Sequence, residues 1–152
     1  MLTVLPKDTL GMLDAFPFMM DNVVYDSIYQ RIVCERALLA NDSRAYRDLR
    51  GLTDPDALDA RAARIPNDVT MRWEQCAYDV CVRAVRAKYQ GACRHELLTP
   101  GKFMYICDDM YWGTAGSEAG AMIGVPFRGQ NMYGKALETV RHEIKQEQQP
   151  QT

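Results

Sequence analysis

The feature that most constrains this chain lies between Pro66 and Gly91, where apolar side chains recur with the period of a helix. Trp73, Ala77, Val80, Cys81, Ala84 and Val85 fall at spacings that gather them on one face. The pattern predicts the longest helix of the chain, starting after Asn67-Asp68, reaching Tyr89 or Gln90 and closed by Gly91. A helix of this kind must bury its stripe against other elements, so helices should dominate the fold.

Shorter elements are expected around it. Leu2 to Leu5 reads as a strand stopped by Pro6. Phe16-Pro17-Phe18-Met19-Met20 leads into an Asp21-Asn22 turn, and Val23-Val24-Tyr25 returns as a strand. Asp26-Ser27 caps a helix running to about Ala40, with Ile28, Ile32, Val33, Ala37 and Leu39 near helical spacing. Asn41-Asp42-Ser43 caps a short helix containing Tyr46 and Leu49 and ended by Gly51. Asp54 to about Ala63 is helical and ends before Pro66. Phe103 to Cys107 is a buried strand, and Asn131 to about Ile144 is the last helix, with Ala136, Leu137 and Val140 turned inward. The expected class is α+β, a mainly helical single domain over residues 1–144 with a few short strands. The polar, Gln-rich tail over residues 145–152 contains Pro150 and should be flexible.

Composition narrows the function classes. The 152 residues suit one domain. A formal net charge of −2 gives no bulk attraction to nucleic acid. The local exception is Arg83, Arg86, Lys88 and Arg94, which either face a phosphate or, more simply, form the wet side of a helix. The five cysteines, at 34, 76, 81, 93 and 107, are odd in number and fit reduced thiols. No Cys-x-x-Cys pair occurs and His95 and His142 are far apart, so neither a metal site nor a cofactor is expected. No run is long and apolar enough to span a membrane, and Met1 to Lys7 does not read as a signal peptide, so a cytoplasmic protein is expected. Nine methionines provide adaptable apolar surface suited to homo-oligomer formation.

The segment richest in chemistry is Asp109-Met110-Tyr111-Trp112-Gly113-Thr114-Ala115-Gly116, directly after a buried strand. Its aromatics can stack on a base or sugar, its glycines let backbone approach a ligand, and its carboxylate can hold hydroxyls or a developing positive charge. Read blandly, the same residues are a loop with core-packing aromatics and a capping Asp.

Other segments decide between these readings, because they follow a known pattern in order. Gly11 to Phe16 is similar to a Gly-x-Phe-Ser-Asn-Phe segment, with Ser and Asn changed here. Pro17, Asp21-Asn22 and Tyr25-x-Ser27 follow its strand–turn–strand lead into a first helix. Arg72-Trp73-Glu74 and the run Val82 to Tyr89 resemble its Trp-bearing helix, and Leu97 to Lys102 its Leu-Leu-x-Thr-Gly turn. Asp109 to Gly113 resembles its Asp-x-Tyr/Phe-Trp-Gly signature. Gly129 to Lys135 and Leu137 to Arg141 resemble its Gly-x-Asn-x-Leu-Gly and Leu-(x)3-Arg ending. In this ordered set the chain resembles the NADAR (YbiA-like) family over most of its length.

The resemblance implies a site for an N-glycoside, in which family members cleave the bond between a ribose carbon and a base-like nitrogen. Their substrates are ribosylamino-pyrimidine phosphates or ADP-ribosylated guanine. Cleavage builds positive charge on the sugar, which a carboxylate stabilises. By the same resemblance Asp109 is the catalytic carboxylate, if the chain is active. Trp73 and Trp112, with Tyr111 and Gly113, line the pocket, Asn131 is a polar pocket group, and Arg36 or Arg141 pairs with phosphate.

One departure changes the expectation. The family's first helix opens with Ser-x-Glu, and that glutamate is its principal catalytic acid; here the position is Tyr29, and the family lysine is Arg36. A phenol of pKa near 10 cannot serve as a carboxylate at neutral pH. The family's second acid falls at Met104 or Tyr105. Asp26 could compensate but is explained as a cap, and Glu35 points elsewhere on the helix. Retained aromatics with a lost acid describe a non-catalytic binder, a sponge for an ADP-ribose-like nucleotide signal, which would suit phage counter-defence. The alternative is an N-glycosidase that has rearranged its acids around Asp109. The partner is thus a small nucleotide, with nucleic acid only as the carrier of a modified base. Gly116 to Arg128 is longer than the usual family link and too apolar for a plain loop, which suggests a lid or a subunit contact.

Overall fold

A computed structural model of the chain describes residues 1–66, 70–90 and 94–148. The Asn67-Asp68 start, the Gly91 stop, Cys93 and the end of the tail lie outside the described residues. The chain divides into two compact units, Leu13–Lys88 and Met1–Met12 with Tyr89–Thr152. The class is α+β with helix predominant, as expected.

The Leu13–Lys88 unit opens with a hairpin, strands β2 (Phe18–Met20) and β3 (Val23–Tyr25) pairing antiparallel in the register Phe18↔Tyr25. Asp21 and Asn22 both have positive φ, 54° and 63°. A two-residue turn of this hand matches strand twist, and Asp and Asn tolerate it. Helix α1 (Ile28–Leu39) starts at Ser27, whose hydroxyl accepts the Gln30 N–H. Gln30 Oε1 accepts the Asp26 N–H at 2.7 Å, so a capping box closes on the residue before the cap. Asp26 is therefore not the cap itself. The other end of the Gln30 amide does longer-range work. Its Nε2 donates to the carbonyls of Leu49, Arg50 and Leu52, the open C-terminal end of α2 (Ser43–Arg50).

That arrangement explains how α2 stops. Gly51 is its C-cap but keeps a right-handed φ of −88°, so the glycine is not used for a left-handed turn; Gln30 satisfies the carbonyls instead. Helix α3 (Pro55–Ala62) follows, capped by Asp54 with Pro55 at its first position. Helix α4 (Thr70–Tyr89) buries Ala77, Val80, Cys81, Ala84 and Val85 as its spacing predicts, while Trp73 is only half-buried. Lys88 departs from the wet-face reading: it is buried, and its Nζ lies 3.1 Å from both the Asp14 carboxylate and the Asp14 carbonyl. Arg83, by contrast, pairs with Asp79 at the surface, and the Arg94 side chain lies outside the described residues.

In the other unit β1 (Leu2–Val4) pairs parallel with β4 (Phe103–Tyr105), in the register Leu2↔Phe103. Strand β4 is buried throughout, as a covered parallel strand requires. The strand is shorter than the sequence suggests, because after Ile106 the backbone turns into the loop described below. Among the described residues three helices complete the unit: α5 (Arg94–Leu97), α6 (Glu118–Met122) and α7 (Met132–Glu147). Neither α5 nor α6 is foreseen in the sequence reading, being too short to show a periodic stripe. Helix α7 buries Ala136, Leu137 and Val140 and continues to Glu147, three residues past Ile144. Gly134 lets it approach β4 closely, since a Cβ there would lie 2.5 Å from the Phe103 carbonyl. Cys34 and Cys81 are buried, and burial pushes the Cys34 thiol up to about 12, so it is inert filler. No helix of the described residues is long and apolar enough to cross a membrane.

Two outcomes follow. Replacing Gln30 with Ala removes a donor from three carbonyls and should cost about 2 kcal/mol in urea unfolding, whereas Arg47→Ala on the exposed side of α2 should cost under about 0.5 kcal/mol. The buried Tyr25 phenol is pushed up to about 12 by burial, reinforced by the Tyr46 hydroxyl and opposed by Arg31. A phenol held protonated in the fold contributes stability that is complete below pH 10 and lost as pH rises through about 12. Unfolding free energy measured from pH 9 to 12 should therefore fall, and fall less in Tyr25→Phe.

Candidate functional site

The loop after β4 is built around one carboxylate. Asp109 Oδ1 accepts the N–H groups of Tyr111 at 2.8 Å and Trp112 at 2.7 Å. The Asp109 carbonyl accepts the Gly113 N–H at 3.1 Å, which closes the turn. This is the short-range bonding that makes Asp a turn residue. Gly113 is required because a Cβ there would collide with the Cys107 thiol and press on the Cys107 carbonyl. The turn thrusts Tyr111 and Trp112 out as half-buried neighbours, edge to face with ring centroids 4.6 Å apart at 80°. The carboxylate itself is exposed.

The start of α7 clamps this loop from the other side. The first N–H groups of a helix have no partner within it. Here Met132 N–H donates to the Tyr111 carbonyl and Tyr133 N–H to the Trp112 carbonyl, each at 3.0 Å, while Asn131 N–H donates to Gly113 at 2.9 Å. Asn131 sits at a left-handed φ of 53°. Its buried carboxamide accepts the Tyr105 N–H and donates to the Phe103 carbonyl, both at 2.9 Å. Both ends of the Asn131 amide thus face β4 backbone. Arg141 also has protein partners: its guanidinium donates to the Thr99 carbonyl at 2.8 Å and lies 4.8 Å from the Phe103 ring centroid.

Asp109, Tyr111, Trp112, Gly113, Asn131 and Arg141 therefore belong to one unit, and Tyr29, Arg36 and Trp73 to the other. Tyr29 and Arg36, seven residues apart, share a face of α1. The Tyr29 hydroxyl donates to the carboxylate of Asp59 on α3. Arg36 is half-buried, and its Nε is a buried donor without a hydrogen-bond partner. Glu35 is taken up by Arg31, 3.1 Å away, which also pairs with Asp21.

Asp59 is the residue that sequence reasoning missed. It lies thirty positions from Tyr29, and no spacing rule connects a surface acid on one helix to a phenol on another. Thr114 was likewise passed over inside the loop, although it is buried with its hydroxyl unpartnered. Among the described residues no group of three or more His, Cys, Asp or Glu side chains is placed to hold a metal ion.

Comparison with known proteins bears on what this arrangement is. The NMR structure of the E. coli protein YbiA is similar to this chain with a TM-score of 0.74, covering 99% of this chain and 90% of that one at 20% sequence identity. At that identity the likeness is one of fold. No curated protein matches the chain. A family model for the NADAR domain matches residues 8–145. With that match across both units, the chain belongs to the NADAR family.

Proposed function

We propose that this chain binds an ADP-ribose-like or ribose-phosphate N-glycoside nucleotide and holds it without cleaving it. The observation that carries this reading is the state of Asp109. Its Oδ1 is committed to two backbone amides of its own turn, so the carboxylate serves first to set the aromatic pair. A loop that keeps its stacking surface and spends its acid on architecture is suited to recognition. Tyr29, at the position of the family's glutamate, supplies a phenol that offers hydrogen bonding and no general base at neutral pH. Arg36, with its unpartnered Nε, is the group proposed to meet phosphate. In this reading the protein acts in the cytoplasm as a sponge for an NAD-derived nucleotide, a role fitting phage counter-defence.

Asp59 favours a second reading. Bonded to the Tyr29 hydroxyl and exposed at the surface, it returns a carboxylate to the neighbourhood from which the family's glutamate is missing. An N-glycosidase using Asp59 as its acid would stabilise the oxocarbenium ion from that side.

The two readings separate in one experiment. The purified chain is incubated with ADP-ribosylated guanosine, NAD and cyclic ADP-ribose isomers, denatured, and the small molecules are analysed by mass spectrometry. Intact ligand recovered from the denatured protein is the expected result. Free base with a hydrolysed sugar, lost in Asp59→Asn, would establish the enzyme instead; recovery of neither would remove both. Asp109 gives an independent check by equilibrium binding. If it works as a turn acceptor, Asp109→Asn should bind within about threefold of the parent, because an amide oxygen still caps the turn, while Asp109→Ala should weaken binding at least about tenfold.

A further inference from the structure

The Gly116 to Arg128 segment, which no family motif explains, walls a cavity of about 200 Å³ together with Met104 and Thr114. All of these residues lie in one unit, and Asp109 is not among those that line the cavity. Its chemistry is mixed in a specific way. Thr114 is 1% exposed, and its hydroxyl has no hydrogen-bond partner. An unpaired buried hydroxyl costs about 1–3 kcal/mol, a cost that a bound partner would remove. The loop cannot readily carry the hydroxyl away to water. Thr114 N–H donates to Tyr105, and the Thr114 carbonyl accepts the N–H groups of Arg128 and Gly129 at 3.1 and 2.9 Å.

Much of the remaining lining is apolar. Val125 and Phe127 line the cavity yet remain 54% and 38% exposed, which is surface that a ring seated there would cover. Arg128 closes the lining with a cation, exposed and paired with no carboxylate among the described residues. Size limits the occupant. An apolar cavity of roughly 150 Å³ takes a benzene ring, so this one takes a single flat ring system and not a whole dinucleotide. We propose that the cavity is a binding site for a flat aromatic ring carrying an anionic group. The ring packs on the apolar lining, which includes Met104 and Phe127, Thr114 supplies its hydrogen bond, and the anion pairs with the Arg128 guanidinium.

Calorimetric titration of the full chain tests this with AMP, CMP, GMP, UMP, benzoate and nicotinate, against adenosine and benzamide as uncharged counterparts. At least one charged ring should bind about tenfold or more tighter than its uncharged counterpart. Arg128→Gln should abolish that difference, and Thr114→Val should weaken binding of the same ligand about tenfold. Whether mononucleotides or aromatic carboxylates bind identifies the anion. The proposal is overturned if no compound in the panel binds, or if charged and uncharged rings bind alike. Binding indifferent to Arg128→Gln would place the ligand elsewhere and overturn it equally. Arg128 is exposed, so its variant decides the matter even if Thr114→Val fails to fold. Failure here leaves the reading of Asp109 untouched, because ligand retention in the mass-spectrometric experiment does not depend on this cavity.

Discussion

The Tyr89–Thr152 unit depends on the side chain of Asn131. One small amide joins β4 to the start of α7 by accepting from Tyr105 and donating to Phe103. The residue also takes the left-handed backbone that turns the chain into the helix, a conformation Asn tolerates better than most L-residues. With the strand and helix fixed, the unpaired N–H groups of the first turn of α7 have a defined direction. The carbonyls of Tyr111 and Trp112 lie in that direction. The signature loop is thus held by Asp109 from within and by a helix terminus from outside.

This double restraint says what the loop is suited to do. Stacking surfaces bind best when they need not be ordered on binding, and two aromatics on a hydrogen-bonded turn are ordered in advance. The same economy limits the acid. A carboxylate that accepts two amide N–H groups of its own turn is less free to reposition during a reaction. In the proposed reading, the geometry that suits Tyr111 and Trp112 to recognition also makes Asp109 a poor candidate for the acid that does all of the chemistry.

The Leu13–Lys88 unit uses a comparable device. Gln30 caps its own helix with Oε1 and closes the end of α2 with Nε2. Beside it Arg31 is buried against Tyr25, Asp21 and Glu35. A buried guanidinium is tolerable only with such partners, so Glu35 is accounted for by structure. Each unit thus uses one side-chain amide, Asn131 in one and Gln30 in the other, to join elements through their backbone.

The sequence by itself determined the elements whose causes are local. The Asp21-Asn22 turn, the Ser27 and Asp42 caps and the buried stripe of α4 are legible because turn chemistry, capping and helical period act over a few residues. The ordered motifs also sufficed to reveal the family, since motif order survives where overall identity does not. What only the tertiary structure decided are the pairings between distant residues. Nothing in the spacing of Tyr29 and Asp59, or of Lys88 and Asp14, indicates that they meet. Helices α5 and α6 were invisible because one or two turns carry no period, and α7 outran its apolar stripe because a helix end on a polar surface needs none. The role of Asn131 belongs to the same class: its residue type allowed a ligand contact, and its burial against β4 gave both ends of its amide to the backbone.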